Sequence, residues 1–312
     1  MKSNVDEHHH KHNPSAAGHT HDASKLSGIK IFWVTLLNAT ITIAEIVGGI
    51  LSGSLALLSD AVHNLSDTLA IALAYFANKI ARKPKDAKKS FGYKRAEILA
   101  AFINSSVLLV ISIVLIFEAF KRLNAPQSIN GTLMITVAFI GLVANFVSVF
   151  LLKNDSKQNL NIKASYLHLL SDTVSSVGVL IGGVAIKLWG AIWIDPLITV
   201  LISLYFSRET WHVIRRTLDI LMQSSADLDY EAIKREIEKI DKVNNIHHVH
   251  AWLINEKTIN FEAHIDMEDM RLSEVKNVYN KIEQYLRDDH GISHVTLQAE
   301  VDQCSDKRIF KT

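Results

Sequence analysis

This chain contains one pattern, H-x-L-S-D-T, twice: first as His63-Asn64-Leu65-Ser66-Asp67-Thr68 and again as His168-Leu169-Leu170-Ser171-Asp172-Thr173. Each copy lies inside a long apolar segment. Because residues i and i+4 share one face of an α-helix, each copy offers an imidazole and a carboxylate to the same point. Two such helices facing each other supply a complete ligand set for a tetrahedral divalent metal, above all zinc. The alternative is two unrelated polar spots that hydrogen-bond neighbouring helices, but ionisable groups in a membrane span are usually functional.

Apolar residues are distributed unevenly along the 312 residues, since residues 29–222 contain nearly all of the long apolar runs. This distribution predicts a membrane domain, whereas the overall hydrophobic share of 48% decides little. The net charge of +1 implies no bulk attraction to nucleic acid. The single cysteine, Cys304, excludes an intrachain disulfide. Residues 1–28 contain no apolar core, so we expect no cleavable signal peptide there.

Six segments are long enough to cross a hydrocarbon core of about 30 Å, which takes roughly 20 helical residues. We place them at 29–51, 55–80, 96–123, 133–152, 164–188 and 194–211. The second and fifth segments contain the twin motifs together with serines and threonines, which suits helices that face protein or a cavity. The sequence therefore predicts an α-helical membrane protein with a six-helix domain over residues 29–222, inserted in the lipid bilayer of the cell membrane.

The connections between these segments predict their orientation. The connection after the second segment is strongly basic, with Lys79, Arg82, Lys83, Lys85, Lys88, Lys89, Lys94 and Arg95, and the connection before the fifth contains Lys153, Lys157 and Lys163. Since positive connections stay on the cytoplasmic side, we expect both termini to be cytoplasmic. Lys121 and Arg122, at the opposite end of the third segment, argue weakly against this orientation, although long basic side chains can snorkel.

The two ends of the chain are polar and differ from each other. Residues 1–28 form a tail, expected to be disordered, that contains His8, His9, His10, His12, His19 and His21. This tail either captures metal or is passive. Residues 223–303 predict a cytoplasmic α+β domain of order αββαβ, ferredoxin-like or metallochaperone-like, with helices at 227–240 and 272–289 and strands at 246–254, 258–267 and 293–301. So small a domain is marginal alone, which favours dimerisation. Residues 304–312 are expected to be a C-terminal tail.

Together, the twin motifs, the six segments, the histidine-rich start and the αββαβ domain resemble the cation diffusion facilitator family. The run Gly53-Ser54-Leu55-Ala56-Leu57-Leu58-Ser59-Asp60-Ala61-Val62-His63 is similar to its bacterial zinc, cobalt and cadmium efflux branch. The resemblance covers residues 29–303 and implies a homodimer, not an enzyme, that exports Zn²⁺, with Cd²⁺ and Co²⁺ as further cargo, in exchange for protons. The rival hypothesis is a zinc-gated channel or membrane metal sensor without proton coupling.

The resemblance also implies roles for single residues. The family's transport site falls on His63, Asp67, His168 and Asp172, and its cytoplasmic metal positions fall on His250, His264 and Glu300. Gln298 stands where some relatives have a histidine, which weakens the case for a binuclear cytoplasmic site. Residues 86–93 have lysine and tyrosine where some relatives have metal-binding histidines, so we expect no metal site in that loop. His247, His248 and His294 are expected at the surface.

Other polar residues in or near the spans are expected to support the site. Asp60 is a fifth ligand, supports a ligand imidazole or stabilises the outer end of the second span, and we favour one of the last two roles. Glu45 and Asn145 are expected to line the cavity or to bridge helices. Arg95 and Asp219 match family positions that form an ion pair between the membrane and cytoplasmic domains; the alternative is two solvated charges.

Overall fold

The computed structural model describes residues 20–153, 160–303 and 308–310. In these ranges six long helices precede a small three-stranded sheet with two helices. The elements are α1 Thr20–Ser52, α2 Leu55–Ala81, α3 Arg95–Asn124, α4 Gly131–Leu152, α5 Leu160–Trp189, α6 Ile194–Leu221, α7 Tyr230–Ile237, β1 Val243–Asn255, β2 Thr258–Met267, α8 Leu272–His290 and β3 His294–Glu300. This order confirms the predicted fold class, a helical membrane domain followed by an αββαβ domain.

The first and last of the long helices extend beyond the predicted segments. The first helix, α1, begins at Thr20 rather than at residue 29, so part of the predicted tail is helical, while residues 1–19 lie outside the described ranges. The last of them, α6, continues to Leu221, past residue 211, where the apolar segment ends. The extension of α1 is polar, whereas the extension of α6 mixes charged residues with apolar ones, of which Ile214 and Ile220 are buried.

Four helical segments in the described residues are apolar enough to cross a membrane: Trp33–Ser52, Arg95–Asn124, Gly131–Leu152 and Tyr166–Trp189. Their large apolar side chains are widely exposed on the protein surface, as in Phe117 and Phe150. Such a surface requires an apolar solvent, so the chain is an integral membrane protein. Helices α2 and α6 are as long but more polar, because α2 contains the first motif and α6 contains several charged residues.

The chain forms two compact units, and the first consists of the described residues up to Thr68 together with Leu115–Ile202. In this unit α4 packs against both α1 and α5. Its apolar contacts include Met134 and Ala138 of α4 and Val179 of α5. Glycines allow close approach, since an added Cβ at Gly183 of α5 would meet Ile135 of α4.

The N-terminus of α2 is capped by a distant carboxylate. Asp195, the second residue of α6, is fully buried. Its Oδ1 accepts hydrogen bonds from Ser54 Oγ at 2.5 Å and from the Ala56 N–H at 3.2 Å, and its Oδ2 accepts one from the Leu55 N–H at 2.9 Å. A carboxylate at a helix N-terminus satisfies free N–H groups and complements the helix dipole. The position of α2 therefore depends on α6.

The second unit consists of Leu69–Val114 and the described residues from Ser203 onward. It includes the αββαβ domain, in which β2 is the central strand, antiparallel to β1 and parallel to β3. Helix α8 provides the crossover that a parallel pair requires, and it ends at Gly291 in the left-handed conformation. Phe261, Ile265, Ile282 and Leu286 form the centre of the core.

The predicted C-terminal tail is part of this domain where the structure describes it. The Val249 N–H donates a hydrogen bond of 2.8 Å to the Ile309 carbonyl, and the Ile309 side chain is buried in the core. The prediction that the domain ends at residue 303 is therefore wrong for residues 308–310, because an apolar Ile-Phe pair follows the polar stretch. Residues 304–307 and 311–312 lie outside the described ranges.

Candidate metal centre

Helices α2 and α5 pair in antiparallel orientation along the motif faces. Asp67 lies opposite His168, with 2.9 Å between Oδ2 and Nε2, and His63 lies opposite Asp172, with 3.5 Å between Nε2 and Oδ1. One turn further, the Ser175 hydroxyl donates a hydrogen bond of 2.6 Å to Asp60 Oδ1. Because residue numbers fall on α2 as they rise on α5, the two helices run in opposite directions.

This pairing brings the four predicted transport-site residues together. Each of His63, Asp67, His168 and Asp172 offers one ligand atom, and these atoms all lie within 4.8 Å of one another. The distances within each motif are short as well, 3.3 Å from His63 Nε2 to Asp67 Oδ2 and 3.7 Å from His168 Nε2 to Asp172 Oδ2. Two imidazole nitrogens and two carboxylates at one point form the donor set of a four-coordinate Zn²⁺ ion.

Burial differs between the two ends of this group. The His63 and Asp172 side chains are only 7% and 1% exposed, whereas those of Asp67 and His168 are 27% and 39% exposed. The exposed pair lies toward the C-terminal end of α2 and the N-terminal end of α5, which are the ends that adjoin the two basic connections in sequence. The group is therefore reached from that end and closed at the other.

Charge in the buried half of the group is left for a ligand to balance. In the described residues, neither carboxylate oxygen of Asp172 accepts a hydrogen bond, although both are buried. A buried carboxylate without such partners is costly unless a cation or a proton compensates it. A divalent ion held by the four side chains would provide this compensation.

Asp60 contributes no atom to this group and has other partners. Its Oδ1 and Oδ2 accept hydrogen bonds from Ser175 and Ser176 of α5, the latter at 3.2 Å, and Asn145 Nδ2 of α4 donates to Ser176 Oγ at 3.3 Å. Asp60 and Asn145 thus belong to one buried network that connects α2, α5 and α4. This network holds the two motif helices in register next to the site.

Glu45 bridges α1 and α2 beside the site. Asn64, the residue after His63, donates a hydrogen bond of 2.9 Å from Nδ2 to Glu45 Oε2, and both side chains are buried. An added Cβ at Gly141 of α4 would overlap Glu45 Oε1, so α4 approaches this carboxylate closely only because the residue is glycine.

A second group of potential ligands lies in the αββαβ domain. It consists of His247 on β1, His264 on β2 and Glu300 on β3, with ligand atoms again within 4.8 Å of one another. His264 Nδ1 lies 2.6 Å from Glu300 Oε1, and His247 Nε2 lies 3.2 Å from Glu300 Oε2. Three strands thus supply one ligand each, a set that suits Zn²⁺ with one position left open.

Two models of protein families match the chain. A cation efflux transmembrane domain matches residues 31–222, and a cation efflux protein cytoplasmic domain matches residues 226–302. This chain belongs to the cation efflux family. The metal cation efflux system protein CzcD of Cupriavidus metallidurans is 36% identical over 92% of this chain and 91% of its own length. The zinc transporter ZitB of Escherichia coli is 36% identical over 93% and 94%, and a cadmium, cobalt and zinc/H(+)-K(+) antiporter of Bacillus subtilis is 37% identical over 91% and 92%.

The cytoplasmic group of this cation efflux protein differs from the predicted one at one histidine. His250 does not belong to it, because His250 lies opposite Glu262, whereas His264 lies opposite His247. The prediction of His247 as a surface residue is wrong, since it is 2% exposed. The cause is a bulge between His247 and His250, where His248 has a positive φ of 50° and one extra residue shifts the register.

The predicted ion pair between Arg95 and Asp219 is not formed among the residues that the structure describes. Arg95 Nε is buried and has no hydrogen-bond partner there. Asp219 contributes its backbone carbonyl instead, which accepts a hydrogen bond of 2.9 Å from the Ser224 N–H where α6 ends.

Sequence reasoning missed two residues that the structure places at or near the sites. Asp195 lies far from Ser54 in sequence, so only tertiary structure pairs them, although an acidic residue at the start of an apolar span is a signal in itself. The burial of His247 was not predicted, because it depends on the bulge and the polar-apolar alternation of β1 does not indicate a bulge.

Proposed function

We propose that this cation efflux protein exports Zn²⁺ from the cytoplasm in exchange for protons, as a multi-pass protein of the cell membrane. The observation that carries the proposal is the group of His63, Asp67, His168 and Asp172, two pairs of ligands from two antiparallel helices with atoms within 4.8 Å of one another. Zinc is the cargo at this site rather than a resident cofactor. The names of the similar proteins, a zinc transporter and a cadmium, cobalt and zinc antiporter, agree with this cargo and extend it to Cd²⁺ and Co²⁺.

Proton exchange follows from the ligand chemistry. Zinc binds neutral imidazole and ionised carboxylate, so its binding expels protons from the site. When the site is open to a more acidic outside, the same side chains take up protons and release the metal. The protonated site then returns and loses its protons inside. One group of four residues thus carries metal and protons in opposite directions, provided that the helices alternate between two arrangements.

The burial of the ligands supports loading from the cytoplasm. Access is through Asp67 and His168, at the end of α2 and α5 that adjoins the basic connections, while Asp172 is closed off. Since basic connections stay cytoplasmic, this arrangement corresponds to the inward-open state of the proposed cycle.

The test is zinc uptake into proteoliposomes, with zinc outside and either an acidic or a neutral interior. We expect the acidic interior to accelerate uptake and to drive it beyond the zinc gradient. Asp172→Asn removes a charged ligand and should abolish uptake, whereas Asp227→Asn, the same substitution at an exposed position, should not change it. Uptake that follows the zinc gradient alone would identify a zinc-gated channel instead, and no uptake in any condition would favour a metal sensor.

We further infer that the protein is a homodimer, and that the cytoplasmic group of His247, His264 and Glu300 binds Zn²⁺. Support comes from the match to the cytoplasmic domain of cation efflux proteins and from the three convergent ligands. Sedimentation of the full-length protein in detergent, with and without zinc, tests the assembly. A monomer in both conditions would contradict the inference.

A further inference from the structure

The loop between α2 and α3 is organised by one carboxylate. Asp86 Oδ1 accepts hydrogen bonds of 2.8 Å from the Lys88 and Lys89 N–H groups, and its Oδ2 accepts one of 2.6 Å from the Tyr93 hydroxyl. The Tyr93 hydroxyl, and then the backbone N–H groups, hold the pKa of Asp86 below its usual range. Gly92, with a φ of 82°, allows the chain to turn back. The loop thus holds a defined shape although it is exposed.

This loop lies against the αββαβ domain within the second unit. Lys94 Nζ donates a hydrogen bond of 3.2 Å to Thr258 Oγ1 at the start of β2. The Phe91 ring meets the His294 ring edge-on, with 6.4 Å between their centroids. These contacts place the loop beside the hairpin of β1 and β2.

A cavity of about 810 Å³ lies between the loop and the hairpin. Lys88, Lys89 and Arg95 line it, opposed by a single carboxylate, Glu262. In the described part of the chain none of the three cations forms an ion pair, and Arg95 Nε is buried with no acceptor at all. A buried guanidinium N–H without an acceptor is costly, so the cavity offers positive charge and an unsatisfied donor to a ligand.

Much of the rest of the cavity wall is apolar or aromatic. Ile80 from the last turn of α2 and Leu99 from the second turn of α3 line one part, and Phe91 and Trp252 line another. Cavities of this size hold drug-sized molecules, which such walls bind through their apolar part. The ligand therefore combines an anionic group with an apolar group.

The charge of the cavity also decides against a metal. His250 and Glu262 are cross-strand partners in its wall, but two lysines and an arginine beside them repel a divalent cation. Arginine binds phosphate through paired hydrogen bonds, and lysine adds point charge, so this trio suits a phosphate better than a single carboxylate. We propose that the cavity binds a phosphate ester with an apolar part, either a phospholipid headgroup or a soluble phosphate ester, through Lys88, Lys89 and Arg95.

The test uses the full-length protein and two probes. The first is retention of phosphatidylglycerol over phosphatidylcholine by protein released from nanodiscs that contain equal parts of both lipids, measured by native mass spectrometry. The second is equilibrium dialysis of labelled orthophosphate against the protein in neutral detergent. The cavity variant is Lys88→Gln, Lys89→Gln and Arg95→Gln together. Its matched control is Lys79→Gln, Arg82→Gln and Lys83→Gln, which removes the same charges from exposed positions outside the cavity wall.

We expect the cavity variant to bind about tenfold or more weakly, because removing even one charge-assisted hydrogen bond weakens binding by about this factor, and the control to bind as wild type does. Selective retention of phosphatidylglycerol identifies a lipid headgroup, and orthophosphate binding without lipid selectivity identifies a soluble phosphate ester. Binding of neither probe, or equally weakened binding in both variants, would overturn the proposal. If the cavity variant does not assemble, the single variants Lys89→Gln and Lys83→Gln are compared with the same two probes. Weaker binding in Lys89→Gln alone then supports the proposal.

Discussion

At the scale of single residues, the cytoplasmic site depends on which histidine faces Glu300. His247 Nε2 lies 3.2 Å from Glu300 Oε2, whereas His250 lies in the cavity wall opposite Glu262. We predict that His247→Ala weakens zinc binding by the cytoplasmic domain roughly 10- to 100-fold and that His250→Ala leaves it unchanged. The measurement is zinc titration of the protein with both domains, in a background with Asp172→Asn, which weakens the four-ligand site, and without residues 1–19, which removes five of the six histidines of the N-terminal tail.

His250→Ala is the control in this experiment, and it also tests the alternative ligand, since the family resemblance favours His250. An equal loss of affinity in both variants would show that the two histidines share the metal. A loss in His250→Ala alone would mean that the bulge rearranges when metal binds.

The difference between the two sites shows what sequence can specify at this scale. His63 and Asp67 are related by helical spacing, and so are His168 and Asp172, so the sequence predicts each pair directly. In a strand, by contrast, one extra residue changes every later cross-strand partner. No glycine or other turn residue marks the bulge at His248 in the sequence. The sequence therefore does not predict that His247 is buried.

At the scale of helices, α4 and α1 approach each other closely through Gly141. A methyl group there overlaps Glu45 Oε1, and Glu45 is held by Asn64 next to the ligand His63. We predict that Gly141→Ala destabilises the protein by about 1–3 kcal/mol, since a packed interface must open. It should also slow zinc uptake by moving α2. Thermal unfolding in detergent and uptake into proteoliposomes measure the two effects.

Gly178 of α5 provides the matched control. An added Cβ at this position meets nothing within 4 Å, so Gly178→Ala should be neutral or stabilising by up to about 1 kcal/mol, because alanine favours the helix. An equal fall in melting temperature for both variants would show that the glycines matter for reasons other than the contact with Glu45.

The cap on α2 acts at the same scale. Asp195 satisfies the Ser54 hydroxyl and two backbone N–H groups, and Asp195→Asn replaces one acceptor oxygen with a donor. We predict a loss of about 1–3 kcal/mol in the free energy of unfolding, measured as a lower melting temperature. Ser54→Ala removes one of these bonds and also the 3.1 Å bond that Ser54 Oγ accepts from the Leu57 N–H, so it should lower the melting temperature as well. Equal stability of Asp195→Asn and wild type would show that the cap does not hold α2.

Helix existence was predictable from sequence because each span is a long apolar run, yet this cap was not. Ser54 and Asp195 belong to different spans, and no local pattern joins them. The sequence also did not predict the ends of α1 and α6. The extension of α1 is polar and carries no signal of its own length, and the extension of α6 mixes charged with apolar residues, so it does not continue the apolar run. Apolar patterning specifies the elements, and the contacts that align them are long-range.

At the scale of the whole molecule, charge distribution predicts the orientation in the membrane. The basic loop at 79–95 predicts a cytoplasmic side, and the basic pair at the other end of α3 argues less strongly against it than its charge alone suggests. Glu118 lies 3.5 Å from Lys121 Nζ and 3.4 Å from Arg122 Nε, and the Arg122 guanidinium also donates to the Gly53 carbonyl. One carboxylate thus offsets part of the charge of this pair, whereas Lys88 and Lys89 form no ion pair in the described part of the chain.

We predict that a cysteine at position 88 is labelled only from the cytoplasmic side. The background is Cys304→Ser, which removes the single native cysteine. Lys88→Cys on the basic loop and Gly53→Cys on the short connection between α1 and α2 should label oppositely with a membrane-impermeant maleimide: Gly53→Cys in intact cells and Lys88→Cys only after permeabilisation. Because Gly53 has a φ of 75°, Asn130→Cys at the start of α4 is a second reporter for the outer side. Labelling of Lys88→Cys in intact cells would reverse the topology, and the exposed end of the four-ligand site would then open outward, as a zinc importer requires.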